Sequence, residues 1–389
     1  MQLTDEDAEF RGRVREWLEQ NLGGEFAALR GQGGPGREHE HFGQRLAWNR
    51  HLAAAGWTCL SWPAEYGGQD TTLARQVIFH EEYARSGAPA RVGHMGEELL
   101  GPTLLAFGTQ AQKDRFLRPI TEVSELWCQG YSEPGAGSDL ASLSTSARLD
   151  GDEWVITGQK VWTSLAREAD WCFLLARTEP GSRRSAGLSY LLVPMRQPGI
   201  TVRPIRQLTG TSEFNEVFFD GARTRRDLVV GEAGDGWRVA MATLAIERGV
   251  STLGQQLAFQ REFEAMLATA RSTGAIDDPD IGARIVEAWA GLEVMRYTAL
   301  ATLARTSEAA SGTEPSVNKL IWAQWHQRLG ELAVDVSGAG ATLAGPGYEL
   351  DNAQRLFLYT RADTIYGGSN EIQRNVIAER GLGLPREPR

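Results

Sequence analysis

The chain has 389 residues and a formal net charge of -10, from 40 basic and 50 acidic side chains. Its hydrophobic content of 42% and charged content of 23% are those of a globular protein with room for two or three domains. Because no basic stripe or arm is present, nucleic-acid binding and attachment to anionic membranes are not expected. No apolar run of about 18 residues exists, so membrane insertion is not expected either.

Cysteine usage argues against a disulfide framework or a zinc site. Cys59, Cys128 and Cys172 are far apart and form no Cys-x-x-Cys pair, and the six histidines do not cluster with them. We therefore expect no metal and a reducing compartment. The acidic, polar start of the chain is unlike a signal peptide, which predicts a cytoplasmic protein.

Up to residue 126 the sequence predicts helices separated by loops. Thr4 or Asp5 can cap a first helix with Phe10, Val14, Trp17 and Leu18 on one face. Further helical segments are predicted at 41–55, 73–85 and 110–117.

Between residues 127 and 230 the hydrophobic period shortens toward two. LDGDEWVI (149–156) contains an Asp-Gly pair typical of a hairpin turn. WCFLLA, LSYLLV, ITVRPI and FNEVFF are predicted as short strands. The stretch predicts a small antiparallel sheet or barrel.

From residue 231 to 389 the pattern is helical again. A long helix is predicted from Gly236, others near 284–310 and 317–343, and shorter ones near Asp351 and Asn370. GAGATLAG (338–345) lacks the G-x-G-x-x-G spacing of a dinucleotide-binding loop, and we interpret it as close helix packing. The predicted fold is α+β and mostly α: an N-terminal helical domain (1–126), a β-domain (127–230) and a C-terminal four-helix bundle (231–389).

QGYSEPGAGSDL (129–140) is the strongest candidate for a binding loop. Gly135 and Gly137 allow close backbone approach, and Ser132 and Ser138 supply hydroxyls next to backbone N–H groups. Such a loop can wrap a planar or phosphorylated ligand. A surface turn is the alternative.

KVWTS (160–164), at the end of a predicted strand, is a second candidate. Trp162 can stack on a flat ring, and the hydroxyls of Thr163 and Ser164 can hydrogen-bond its edge. A buried core tryptophan is the alternative interpretation.

LAIERGVSTLG (244–254) places Glu247 beside an apolar helix stripe, with the small residues Ser251 and Gly254 four and seven positions later. Partial desolvation would raise the pKa of this carboxylate, which suits a general base. The alternative is a surface charge pair of Glu247 with Arg248.

Together these motifs resemble those of the acyl-CoA dehydrogenase family. The resemblance rests on SEPGAGSDL, KVWTS, GDGW (234–237) and YGGSNEIQRNVIAERGLGLP (366–385), and extends to WPAEYGG (62–68) and GPTLLAFGTQAQKDRFL (101–117). It implies the three domains described above, with FAD bound between the β-domain and the C-terminal bundle. The implied reaction removes an α-proton from an acyl-CoA thioester and passes the β-hydrogen as hydride to flavin N5.

The resemblance also implies site residues. The predicted cofactor-binding residues are Gln129, Gly130, Tyr131, Ser132, Ser138, Trp162, Thr163, Ser164, Gly367, Gly368, Ser369 and Glu371. Ser138 is also placed near the pantetheine of the substrate. The turn at Gly368–Asn370 is expected to receive the adenosine half of FAD, and Glu371 to complement the start of a helix.

The catalytic base departs from the commonest family pattern. Many members carry the carboxylate in a Tyr-Glu-Gly-Thr stretch, whereas this chain reads Tyr366-Gly367-Gly368-Ser369. In a minority the base comes from a Glu-Arg pair on the long helix, which Glu247-Arg248 matches. We therefore predict Glu247 as the base and Arg248 as a residue that shapes the acyl-CoA site.

A second departure concerns the FAD diphosphate. Where family members often have Arg-x-x-Phe-Gly, this chain keeps Arg271 and Gly274 without the phenylalanine, and Asp335 stands where others have a glutamine. The expected partners are an acyl-CoA, an electron-transfer flavoprotein or similar acceptor, and further subunits, as a homo-oligomer or a heteromer with a paralogous chain. The alternative functions are an FAD-deficient subunit of such a heteromer, or an acyl-CoA oxidase.

Overall fold

The computed structural model describes residues 4–246, 251–305 and 313–386. Its N-terminal part contains helices α1 (Asp5–Asn21), α2 (Phe42–Ala54), α3 (Leu73–Arg85), α4 (Gly101–Phe107) and α5 (Gln110–Thr121). The helix predicted over 73–85 is confirmed by α3. At 7 residues α4 is too short for a helical period to show in the sequence, and it continues directly from a π-helical turn, Met95–Leu100.

Helix α1 shows why these residues fold as they do. Thr4 caps it, because its hydroxyl accepts from Asp7 N at 3.2 Å while the Asp7 carboxylate accepts from Thr4 N at 3.1 Å. Its buried face, Phe10, Val14 and Leu18, packs in one cluster with side chains of α2 and α3. Trp17, predicted on the same face, is only partly buried.

The middle of the chain forms one 8-stranded sheet within the described residues. Its strands are β1 (Trp127–Gly130), β2 (Ser146–Asp150), β3 (Glu153–Ser164), β4 (Trp171–Arg177), β5 (Leu188–Pro194), β6 (Ile200–Ile205), β7 (Phe214–Arg225) and β8 (Val229–Val230). The order is β6-β7-β3-β2-β4-β5-β8, and β1 pairs with β4. Pairing is antiparallel except where β4 runs parallel to β1 and touches the end of β2. The predicted hairpin is present, with Asp150 opposite Glu153.

A side chain of α5 ties the first helices to this sheet. Buried Gln112 donates through Nε2 to the carbonyl oxygens of Asp227 at 2.8 Å and Val229 at 2.7 Å. Its Oε1 also accepts from Thr109 N at 3.1 Å and closes a capping box. One glutamine therefore satisfies a helix start and the backbone next to β8 together.

The C-terminal part is a helical bundle. Its helices are α6 (Gly236–Ile246), α7 (Ser251–Thr273), α8 (Pro279–Arg305), α9 (Glu314–Ser337), α10 (Asn352–Thr360) and α11 (Asn370–Val376). Helix α9 packs against α7, α8 and α10, and the shared core includes Phe259, Leu292 and Leu329. The predicted order of helices, sheet and bundle is confirmed, while the exact domain boundaries stay predictions. Along the described residues no helix combines the length and the apolar character needed to cross a bilayer.

The interpretation of GAGATLAG as close helix packing is wrong at its first glycines. Gly338 to Thr342 form a 3-10 turn after α9, and no atom lies within 4 Å of a Cβ built on Gly338 or Gly340. Gly338 has φ +66°, so it serves the backbone reversal at the end of α9.

Candidate active site

The loop after β1 has a fixed shape. Glu133 N donates to Ala136 O and Ala136 N to Glu133 O, each at 3.0 Å. At the end of β1, a Cβ on Gly130 would lie 2.8 Å from Cys172 Sγ, so any larger residue would have to displace its neighbours. Gln129 and Ser132 are half-buried, whereas Ser138 is exposed at the loop surface.

A buried ion pair joins this loop to β3. Lys160 Nζ lies 2.8 Å from Glu133 Oε1 and donates to Tyr131 O at 2.9 Å. The Glu133 carboxylate also accepts from the backbone N–H groups of Ser144 at 2.7 Å and Thr145 at 2.8 Å. Burial raises the pKa of Glu133, but the Lys160 ammonium and these hydrogen bonds outweigh it and lower that pKa to about 2. The sequence does not single out this pair, because nothing in its spacing shows that either charge is buried.

The end of β3 turns Trp162 outward. The pairing of β3 with β7 shifts register between Lys160 and Thr163, and Trp162 has φ +63°. Its side chain is 57% exposed, and it touches the Phe214 ring edge-on at 6.2 Å between centroids. The alternative of a buried core tryptophan is therefore wrong. A bulge here re-aims the side chain and leaves an indole face open to a flat ring.

The two predicted stretches of the β-domain lie side by side. Val161 N donates to Ser132 O at 2.9 Å, which brings Gln129–Ser132 next to Trp162–Ser164. Thr163 is buried, and Asn215 Nδ2 donates to its carbonyl at 3.0 Å. The structure thus assembles one surface from these two stretches.

Unpaired polar atoms test whether these residues fit FAD. In the described part of the chain, buried atoms without a hydrogen-bond partner include Gln129 Nε2, Thr163 Oγ1, Asn370 Oδ1 and Gln373 Oε1. A buried polar atom left unpaired costs about 1–3 kcal/mol, so such atoms are expected to have a partner in the working protein. FAD carries hydrogen-bonding groups along its flavin, ribityl chain and adenine, so this donor and acceptor set fits it.

The Tyr366–Asn370 segment is held by α9 and α11. Gly367 and Gly368 have φ +64° and +87°, and Gln373 Nε2 donates to their carbonyl oxygens at 3.0 and 3.3 Å. Ser369 caps α11 by accepting from Ile372 N at 3.4 Å. A Cβ on Gly367 would lie 3.6 Å from Lys319 Cε of α9. The position at which the resemblance leads us to expect a carboxylate is thus an exposed glycine beside a lysine side chain.

Glu371 points to solvent in this structure. Its side chain is 74% exposed and lies 3.8 Å from the Arg374 guanidinium. Hydrogen bonds from the start of α11 lower its pKa. Asn370 belongs to the turn predicted to receive the adenosine half of FAD. Gln373 was not among the predicted cofactor residues, although the N-E-I-Q spacing after the cap places both side chains on the buried side of α11.

Helix α6 directly precedes the predicted base in the sequence. It is fixed at Thr243, whose hydroxyl lies 2.8 Å from that of Thr103 in α4, and Val239 and Ala240 are in the core shared with the sheet. Ile246 is its last described residue. Glu247 and Arg248 lie outside the described residues.

Where the sequence departs from the family's diphosphate-binding pattern, the described residues form no cluster of basic side chains. Arg271 is exposed at the end of α7, and Gly274, with φ +78°, starts the next turn. Asp335 lies 2.7 Å from Arg284. That aspartate therefore has a cation of its own chain.

Three family models cover nearly the whole chain. They describe the acyl-CoA dehydrogenase N-terminal domain at residues 4–124, the middle domain at 128–222 and the C-terminal domain at 234–382.

Individual relatives agree with these models. Acyl-CoA dehydrogenase IpdE1 of Mycobacterium tuberculosis is 65% identical over 97% of this chain and 98% of its own. A solved structure described as Tcur3481-Tcur3483 steroid ACAD has a TM-score of 0.85 at 29% identity, over 99% of both chains. The ChsE4-ChsE5 complex of Mycobacterium tuberculosis has a TM-score of 0.81 at 29% identity, over 100% of both chains. The chain belongs to the acyl-CoA dehydrogenase family of oxidoreductases, as its motifs predicted.

Proposed function

We propose that this chain catalyses FAD-dependent α,β-dehydrogenation of a CoA thioester whose acyl group is bulky and steroid-derived. One observation carries the flavin assignment: Trp162, whose ring is exposed, is directly followed by Thr163, whose buried hydroxyl has no hydrogen-bond partner among the described residues. A flat ring with a polar edge is the ligand that satisfies both. The acyl class is taken from the related complex described as a steroid ACAD.

In this proposal the β-domain binds the flavin ring and the bundle binds the rest of the cofactor. Trp162 stacks on the ring, and Thr163, Ser164 and the Gln129–Ser132 stretch hydrogen-bond its edge. FAD, when bound, supplies the hydride acceptor. Ser138, exposed at the loop surface, also faces the pantetheine of the thioester.

At the bundle, Gly367, Gly368, Ser369 and Glu371 line the turn that receives the adenosine half. The buried oxygens of Asn370 and Gln373 extend this set, since they have no partner in the described residues.

Glu247 is the proposed base, and Arg248 the residue that shapes the acyl-CoA site beside it. Support comes from Gly367, which has no side chain to remove a proton, and from the Glu-Arg pair that directly follows α6. A carboxylate that approaches the substrate from the helix needs clear space on the loop side, which glycine provides. The chain's contribution is then to orient the thioester and to take the α-proton on Glu247.

We propose that the working enzyme contains a second, paralogous chain. Both similar solved structures named above are described as two-component assemblies. Arg271 is exposed and Asp335 is paired within the chain, so the residues at this motif supply little for an FAD diphosphate. A neighbouring subunit would complete that part of the site. An electron-transfer flavoprotein or similar protein is the proposed acceptor.

The test is to purify the chain alone and with a co-expressed paralogous acyl-CoA dehydrogenase chain, and to record visible spectra. We expect flavin absorption at least in the co-expressed complex, and bleaching on anaerobic addition of a steroid-derived CoA thioester. A straight-chain thioester of matched carbon number should bleach it more slowly. A colourless complex that added FAD does not turn yellow would contradict the proposal and favour an FAD-deficient subunit. Rapid reoxidation of the bleached enzyme in air would favour an oxidase.

A further inference from the structure

A buried histidine of α9 lies between two carboxylates. His326 Nδ1 is 2.7 Å from Asp363 Oδ2, and His326 Nε2 is 2.7 Å from Glu262 Oε2 of α7. His326 and Asp363 are both buried. Phe259 covers the imidazole at 4.2 Å between ring centroids, and Trp325 stacks beside it. The imidazole therefore joins α7 to the segment after α10 in a setting with little water.

This geometry requires a charged imidazole. A neutral ring has one N–H and can donate to only one of the two carboxylates, whereas the imidazolium donates to both. Burial lowers the pKa of His326, but Glu262 and Asp363 outweigh it and raise that pKa to about 9.

Asp363 connects His326 to the turn at Gly367 and Gly368. Its second carboxylate oxygen accepts from the Tyr366 hydroxyl at 2.8 Å, and its carbonyl oxygen accepts from the Lys319 ammonium. That ammonium lies 4.5 Å above the Trp322 ring and 5.2 Å above the Tyr366 ring. Tyr366 immediately precedes Gly367 and Gly368. The two residues with the greatest backbone freedom in the segment are therefore anchored from one side.

We propose that His326 is a positioning residue for the segment 363–370: as an imidazolium it holds Asp363, and through Asp363 and Tyr366 it fixes the Gly367–Gly368 turn that receives FAD. The cofactor part rests on the proposed function, and the positioning part does not. No predicted site motif includes His326, which lies about 40 residues before the turn in the sequence.

The titratable groups around His326 define the pH response. Glu262 faces His326 from α7, and Asp363 faces it from the segment after α10. Behind Asp363, Tyr366 donates to its carboxylate, Tyr359 of α10 interacts with Tyr366, and Lys319 of α9 donates to the Asp363 carbonyl oxygen. An unfolded histidine has a pKa of about 6.5. Because the folded value is higher, the restraint is complete below about pH 6.5. It is lost as the pH rises through about 9.

The first measurement is amide hydrogen exchange in the apoprotein, over peptides that cover residues 363–376. At pH 7 we expect His326→Gln to raise exchange there by about tenfold or more, since a hydrogen bond to a charged group is lost. The wild-type protein should show the same rise above about pH 9, after correction for the intrinsic rate. His80→Gln, a histidine change in α3, is the matched control and should leave this segment unchanged.

The second measurement is the FAD dissociation constant of the co-expressed complex, obtained by fluorescence titration. His326→Gln should weaken binding by about tenfold, and Tyr366→Phe should weaken it less, because it keeps the ring and loses one hydrogen bond. Unchanged exchange in 363–376 for the variant, or no pH step in the wild type, would overturn the positioning role. If exchange responds but the wild-type co-expressed complex binds no FAD, the positioning role holds and the proposed function fails. The wild-type pH series decides the question even if the variant does not fold.

Discussion

At the end of β3, two neighbouring residues differ sharply in exposure. Trp162 exposes its ring through a left-handed backbone, and Thr163 buries a hydroxyl that has no partner among the described residues. The sequence predicted that these residues bind a ring, yet it could not predict the bulge, because register shifts depend on the partner strand β7. If the hydroxyl of Thr163 bonds only to the ligand, removing it should affect ligand binding but not the stability of the apoprotein.

Thr163→Val should lower FAD affinity by about tenfold and leave the apoprotein as stable as the wild type or slightly more stable. The reason is that valine removes an unpaired buried hydroxyl, which matters only when FAD supplies its partner. Fluorescence titration gives the affinity, and thermal unfolding of the apoprotein gives the stability.

Thr224→Val is the matched control, since the Thr224 hydroxyl donates to Leu192 O within the same sheet. It should lower the unfolding temperature and leave FAD affinity unchanged. If Thr163→Val instead destabilised the apoprotein without changing FAD affinity, the hydroxyl would have a structural role.

At the level of elements, the Glu133–Lys160 pair fixes the loop after β1 against β3. Sequence patterns predicted both elements and the hairpin between β2 and β3, because alternation and Asp-Gly turns are local signals. They did not predict that a lysine would be fully buried under the loop, which depends on packing across the sheet. The ion pair therefore restrains the loop after β1 in a way that the sequence motifs do not predict.

Lys160→Met should destabilise the protein by about 3–5 kcal/mol, because it leaves the Glu133 carboxylate buried without its cation. The double variant Lys160→Met, Glu133→Gln should recover part of this loss. Denaturant unfolding followed by tryptophan fluorescence measures both. An equal loss in single and double variants would mean that the pair acts only through packing.

The same pair predicts a pH dependence. The pKa of Glu133 is lowered to about 2, so its stabilising contribution is present above the unfolded value of about 4.3 and is lost as the pH falls toward 2. The double variant should show a smaller loss of stability over that range. Parallel curves for the wild type and the double variant would contradict the assignment.

For the whole molecule, the order of helices, sheet and bundle followed from hydrophobic periodicity, since period is a property of sequence. Hydrophobic periodicity does not predict which apolar side chains remain exposed to solvent after the chain has folded. One face of α8 exposes Val286, Trp289 and Tyr297, and large apolar side chains grouped in this way are typical of a subunit interface. This fits an assembly of acyl-CoA dehydrogenase chains.

Trp289→Asp should therefore weaken association, seen as a lower mass in sedimentation or native mass spectrometry of the co-expressed complex. Removing a large aromatic from an interface typically costs about 2 kcal/mol or more. Leu208→Asp, at a side chain that is 63% exposed in the β6–β7 connection against 53% for Trp289, is the control and should not change the mass. If Leu208→Asp lowered the mass and Trp289→Asp did not, the interface would lie on the β-domain instead.

The most direct test of the central claim is anaerobic rapid mixing of the flavin-loaded enzyme with its CoA thioester, for the wild type and for Glu247→Gln. We predict that the variant keeps its flavin spectrum and that flavin reduction slows by about a hundredfold to ten-thousandfold, as expected for loss of a general base. Glu264→Gln, an exposed acid of α7, should reduce at the wild-type rate. Reduction of Glu247→Gln at a near-wild-type rate would contradict the account and place the base elsewhere.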